Sequence, residues 1–305
     1  MNKVQKAILK TLAFFDIFSR PLTLEELWRF LYRTQASRFQ VLVNVQKLQK
    51  KGKISQKDDY YCLKGREAIF RDFGERKLIC LARWQKVKWV VRILQSVPFV
   101  KNISIINSLS FGASRKDSDI DILIITQKNR LWTARALMIA LLEILGQNKN
   151  QWYQADKFCL GFAFDETRLN LKMLRLKNDI YFSYWLANLT PVMGGRMYER
   201  LIKENAWLFE ELPNWQEKSE VIWPELKKKR FFEKILAGEW GDKLEKWLAN
   251  IQIKRIWRDK KNKRPGASVV AAADMLKLHP YDKRLMYREK WEGKVAVLTR
   301  NTFLR

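Results

Sequence analysis

A single histidine, His279, and three scattered cysteines, Cys62, Cys80 and Cys159, are all the nitrogen and sulfur ligands that this 305-residue chain offers a metal ion. Structural zinc centres draw on clustered Cys and His, so none is expected. Cysteines this few and this far apart provide no disulfide framework and fit a reducing, cytoplasmic setting. Acidic residues are also scarce: 32 Asp and Glu face 59 Lys and Arg, for a net charge of +27. Such an excess favours polyanions, with nucleic acid the first candidate and an anionic membrane surface the second, unless the lysines only decorate solvated faces. No apolar run approaches the ~20 residues that span a bilayer. The longest apolar segment, within 130–146, carries Arg135 and Glu143. The N-terminal stretch has an acid at Asp16 and no small-residue cleavage site, so no signal peptide is expected. Walker-type phosphate loops, a Ser-His-Asp set, internal repeats and low-complexity tracts are missing as well.

What is present is ample material for a core. Hydrophobic residues make up 47% of the chain, with 13 Trp and 17 Phe, which argues against disorder. At this length two or three domains are expected.

The most informative segment runs from Ile105 to Ile125 (IINSLSFGASRKDSDIDILII). An apolar stretch enters a small polar turn at Asn107-Ser108, a short loop follows, and Asp119-Ile120-Asp121 opens a run of Ile and Leu. The strand period of two puts Asp119 and Asp121 on one face. Two carboxylates side by side repel unless a cation lies between them, and a divalent ion carrying a nucleoside triphosphate is the usual solution.

These residues resemble the signature of the polymerase-beta-like nucleotidyltransferase superfamily in its minimal form: a Gly-Ser turn after a strand, a loop, then Ser-Asp-hydrophobic-Asp entering the next strand. Here Asn107-Ser108 forms the turn, Gly112 falls on a second commonly occupied glycine, and Ser118-Asp119-Ile120-Asp121 completes the pattern. Asn107 stands where the family has glycine, and asparagine tolerates positive φ better than other side chains. The resemblance implies that Asn107, Ser108, Gly112 and Ser118 hold the triphosphate. It also implies that Asp119 and Asp121 bind Mg²⁺ or Mn²⁺, with ATP the expected nucleotide. The family usually adds a third carboxylate on the next core strand, and here Asp156, before a strand candidate at 158–164, is the better placed, with Asp165 the alternative. The reaction implied is transfer of a nucleoside monophosphate to a hydroxyl of a protein, an RNA end or a small molecule, releasing pyrophosphate.

The flanking segments read separately. Val4, Ile8, Leu9, Leu12 and Phe15 recur at helical spacing, Arg20-Pro21-Leu22 breaks the helix, and Thr23 with Glu26 forms a capping box. A third helix over 37–51 ends at Gly52, and residues 53–63 read as a hairpin-like wing. On a winged helix the recognition helix enters the major groove, making Arg38, Gln40, Asn44 and Lys47 candidate nucleic-acid contacts. Arg255, Trp257 and Arg258, in the densest basic cluster, are the second set: cations for phosphate and a ring for stacking. Phe15-Asp16-Ile17-Phe18 and Pro21-Leu22-Thr23 ahead of such a core resemble bacterial proteins that join a winged-helix-like segment, a nucleotidyltransferase core and a helical tail. The expected architecture is an α/β (α+β) chain: a winged helix at 1–68, a helical connector at 69–98, a mixed-sheet nucleotidyltransferase core at 99–178 and an all-helical region at 179–305. The alternative is a catalytically degenerate nucleotide-binding domain serving a DNA-binding regulator. Neither reading needs a membrane.

Overall fold

The computed structural model describes residues 1–149, 152, 154–217 and 230–300. Helix α1 (Lys3–Ile17) opens on Asn2, whose side chain accepts from the Gln5 N–H while Gln5 reaches back to the cap. Two more reciprocal caps follow. Thr23 and Glu26 start α2 (Leu24–Arg29), and Ser37 and Gln40 start α3 (Arg38–Lys50). Between and after them lie β1 (Leu22–Thr23) and the hairpin β2 (Ile54–Lys57) and β3 (Tyr60–Leu63), which form a small sheet ordered β1-β3-β2.

A 27-residue helix, α4 (Ala68–Leu94), leads into the larger sheet. There β4 (Val100–Ile105), the one-turn α5 (Asn107–Ser110), β5 (Ile120–Thr126), α6 (Leu131–Ile144) and β6 (Phe158–Asp165) follow in order. Strand β4 is antiparallel to β5, whereas β5 and β6 are parallel. A parallel pair needs a long crossover, and the apolar α6 supplies it.

The rest of the described chain comprises α7 (Ile180–Ala187), β7 (Thr190–Met193), α8 (Gly195–Glu204), α9 (Leu208–Glu211), α10 (Arg230–Ile235), α11 (Gly238–Arg258), β8 (Ser268–Ala271), β9 (Met275–His279) and α12 (Arg284–Arg300). This region is mainly helical, but not all-helical as the sequence suggested. It gives three strands to the large sheet, whose order is β7-β4-β5-β6-β9-β8. The reason is edge protection: β4 and β6 would otherwise present unpaired backbone on both sides. Gly194 makes one pairing possible. It sits at φ +78°, and a Cβ there would lie 1.8 Å from the Lys101 carbonyl oxygen.

Alternation along β5 sorts the two faces. Ile120, Ile122 and Ile124 face a core shared with α4, α6 and Ile256 of α11. Leu123 and Ile125 face a core shared with α1, α7 and Trp291 of α12. Asp121 lies on that second face by the same alternation. Helix α12 is tied to α1 by the Trp291 indole N–H on the Lys10 carbonyl, 2.9 Å, and by Lys294 on Asp16, 2.5 Å. Tyr184 of α7 donates to the Phe30 carbonyl at 3.0 Å, so the N-terminal helices and the large sheet share one buried cluster. Among the described residues no helix is long and apolar enough to cross a membrane.

Candidate functional site

The site is built where β4 turns over into β5. The Ile106 N–H donates to the Asp121 carbonyl at 3.1 Å, and the chain then folds into α5. Asn107 takes φ +57° and Gly112 φ +63°, the left-handed region that asparagine and glycine enter most cheaply. The Asn107 side chain is fixed as well. Its Oδ1 accepts from Trp185 Nε1 at 3.1 Å, and Asn107 favours the ionised form of the Asp121 carboxyl. Ser108 and Ser114 face each other, Oγ to Oγ, at 3.3 Å. Ser118 Oγ accepts from the Arg115 N–H at 3.0 Å and so closes the loop that delivers Asp119.

Asp119 and Asp121 converge with Cys159, which pairs with Asp121 across the parallel β5–β6 register. One ligand atom from each of the three lies within 4.8 Å of the others. Lys149, on the loop between α6 and β6, places its Nζ 2.5 Å from Asp119 Oδ2. Asp121 is recessed at the floor of a cleft. Burial and the charge of Asp119 push its carboxyl well above the usual range, and the Asn107 hydrogen bond and Lys149 only partly offset them. Burial, together with the charge of Asp121, pushes the Cys159 thiol up to about 12. For Lys149, burial pulls the amine down, but Cys159, Asp119 and Asp121 outweigh it and hold the amine above its ordinary value.

The cleft above the carboxylates encloses about 480 Å³, within the ~300–1,000 Å³ of small-molecule sites. Ser108, Arg115, Ser118, Asp119 and Asp121 from the β4–β5 connection line it together with Lys283, Tyr287 and Lys290 from the α12 segment. A smaller cavity of about 140 Å³ adjoins it through Asn107, Tyr181, Lys283 and Tyr287, and continues to Lys277 and His279. Burial, with Arg284 adding, pulls the Lys277 amine down to about 8. Burial, with Lys277 adding, pulls His279 down to about 4, so the chain's one imidazole is neutral at physiological pH.

The structure separates Asp156 from the other candidates. Asp156 binds Arg83 Nε at 2.7 Å and Lys86 Nζ at 3.1 Å on α4, so its carboxylate is committed to fastening the β6 entry turn. Asp165 caps a loop, accepting from the Asn129 and Thr167 N–H groups. The third position beside the two carboxylates is occupied by Cys159.

On α3 the outward reading needs correction at Asn44, while Arg38 and Gln40 are exposed. Asn44 is buried, donates to the Gln40 carbonyl at 2.8 Å and accepts from Asn2. Gln40 spends its side chain on the Ser37 cap, and Arg38 pairs with Glu25 over the Trp28 ring. Lys47 is exposed. Arg255 and Arg258 are exposed and Trp257 half-buried on α11, whose Ile256 anchors it in the core of the opposite sheet face.

Sequence reasoning missed Cys159, Lys149 and the α12 residues Tyr287 and Lys290. Cys159 is next to the strand start and lies directly across from Asp121, which a parallel pairing of the two apolar runs could have revealed. Nothing local in the sequence marks α12 as a cleft wall. Searches against protein-family models, curated proteins and solved structures found no match to this chain.

Proposed function

We propose that the protein is a nucleotidyltransferase of the polymerase-beta-like kind, transferring a nucleoside monophosphate from a nucleoside triphosphate to a hydroxyl. One observation carries the reading: two carboxylates, one of them with its proton affinity raised by burial and by the charge of the other, meet in a cleft that Lys283, Lys290 and Arg115 also line. An anionic pair and a cationic set in one cleft suit a metal-loaded triphosphate and little else of that size.

Asp119 and Asp121 are the groups to hold Mg²⁺ or Mn²⁺, and their oxygen donors fit either ion. Such an ion neutralises charge at the α-phosphate and on the leaving oxygen. The chain's own residues do the rest. The α5 turn and Ser108 receive phosphate oxygens, and Arg115, Lys283 and Lys290 offset the charge of the β- and γ-phosphates. Asn107 favours the ionised form of Asp121. The acceptor oxygen forms a bond to the α-phosphorus as the bond to the bridging oxygen breaks. Pyrophosphate leaves, and the hydroxyl proton passes to solvent.

The N-terminal order helix, strand, helix, helix, strand, strand supports reading that segment as a winged helix. With the net charge of +27, it tilts the acceptor toward a macromolecule. A second reading, a nucleotide-binding regulator without turnover, is favoured by the Lys149–Asp119 ion pair and by the thiol in the third position. The test is incubation with Mg²⁺ or Mn²⁺ and each nucleoside triphosphate labelled in the α-phosphate, with and without cell lysate and RNA. Label transferred by wild type and not by Asp119→Ala/Asp121→Ala establishes transfer and its acceptor class. Metal-dependent nucleotide binding without transfer under any condition establishes the regulator.

A further inference from the structure

We propose that Cys159 is the third metal ligand of this centre and that its thiolate sets the metal preference, drawing a borderline divalent ion of the Mn²⁺, Co²⁺ or Zn²⁺ kind in place of Mg²⁺. The inference rests on reading Asp119 and Asp121 as a metal-holding pair, and goes beyond it to the identity of the ion.

The donor set is the first argument. Two carboxylates and one thiol lie within 4.8 Å of one another. Mg²⁺ demands oxygen donors and keeps much of its water, so a sulfur in the third position removes its advantage. Sulfur favours softer ions, and the two carboxylates keep the site open to Mn²⁺. The backbone is the second argument. The β5–β6 register places Cys159 opposite Asp121 and then slips before Leu123. Two residues on, Gly161 leaves room for the sulfur: a Cβ there would come within 3.3 Å of Cys159 Sγ. A glycine next to a strand irregularity thus leaves the thiol uncrowded beside the carboxylate. Lys149 shows the pull of the pair: its ammonium already sits on Asp119, 2.5 Å away, a cation drawn to the two carboxylates. On binding, the S–H bond breaks as the sulfur–metal bond forms, and the proton leaves to the buffer.

The test is spectroscopic and independent of turnover. The purified, reduced full-length chain is titrated with Co²⁺, with the near-ultraviolet thiolate charge-transfer band as readout, and with Mn²⁺ followed by electron paramagnetic resonance. Cys159→Ser and Cys159→Asp are treated alike. The expected result is a charge-transfer band in wild type that Cys159→Ser lacks, with Co²⁺ affinity lower by at least about tenfold in that variant. Retained Mn²⁺ binding shows that the variant is folded. Cys159→Asp should shift the Mg²⁺-to-Co²⁺ preference toward Mg²⁺. A band that survives in Cys159→Ser, or equal Co²⁺ affinity without any band, overturns the inference and leaves the two-carboxylate reading standing. No ion bound by wild type or by Cys159→Asp overturns both.

Discussion

The indole N–H of Trp185 donates to Asn107 Oδ1 at 3.1 Å, and the Tyr181 hydroxyl reaches the same oxygen at 3.5 Å, so helix α7 clamps the turn that precedes the carboxylates. A residue at φ +57°, where glycine has the lowest backbone cost, thus carries a side chain with two partners. Asn107→Gly keeps the backbone and loses the clamp. Asn107→Ala loses the clamp and adds left-handed strain of ~1–2 kcal/mol. Both leave the Trp185 donor unpaired, at a cost of ~1–3 kcal/mol. Urea denaturation should therefore rank wild type above Asn107→Gly and Asn107→Gly above Asn107→Ala, and an alanine variant as stable as the glycine variant would refute the positive-φ account.

Asp121 is held against its chemistry. Burial and Asp119 raise its carboxyl above the unfolded value, so between those two values the folded state keeps a proton that the unfolded chain has released. Stability falls as pH rises through that window and stays lower above it. Asp121→Asn removes the cost. At neutral pH without metal it should stabilise the protein by about 1–2 kcal/mol, a rise in Tm of a few degrees. A divalent ion should raise the Tm of wild type and leave that of the variant unchanged. A lowered Tm in the metal-free variant would count against the strained pair.

Asp156 is a fastener. Arg83 is 3% exposed in its side chain and Asp156 is 51% exposed, so cutting the pair leaves a buried guanidinium without its carboxylate, although it keeps the Lys116 carbonyl and water can reach the place Asp156 leaves. Asp156→Ala should destabilise by about 1–3 kcal/mol, below the ~3–5 kcal/mol of a fully buried pair. Metal binding at the cleft should be unchanged. If the variant instead melts like wild type and loses metal, Asp156 belongs to the site.

Much of the fold was legible because it is written locally. The Thr23–Glu26 capping box, the apolar stripe of α6 and the Asp119-Ile120-Asp121 strand entry each encode their element within a few residues. What was not legible depends on partners distant in the chain. Strands β8 and β9 are short, and β9 carries Lys277 and His279 on the same face as Met275. That pattern becomes a strand only once β6 offers an edge. Asn44 looks like an outward contact in isolation, yet it is buried against Asn2. The Asp119 and Asp121 pair was readable from its spacing, while Cys159 and Lys149 join it only through strand pairing and loop return.

The cationic side of the cleft yields the remaining prediction. Lys283 and Lys290 are exposed and line the same cleft as Asp119 and Asp121. Exposed charges contribute little to stability, so Lys283→Ala and Lys290→Ala should each melt within about 0.5 kcal/mol of wild type. Their effect should appear with nucleotide. Each lost charge is worth ~1 kcal/mol against the phosphates in a partly solvated cleft, or about fivefold in Kd, and the double variant should approach the product of the two if the lysines act independently. Because salt screens such contacts, the affinity gap between wild type and the double variant should narrow as ionic strength rises. Fluorescence titration with a nucleoside triphosphate at low and high salt measures both effects. Equal affinity of wild type and the double variant at low salt would remove the basic wall from the nucleotide site and shift these lysines to an acceptor or nucleic-acid surface.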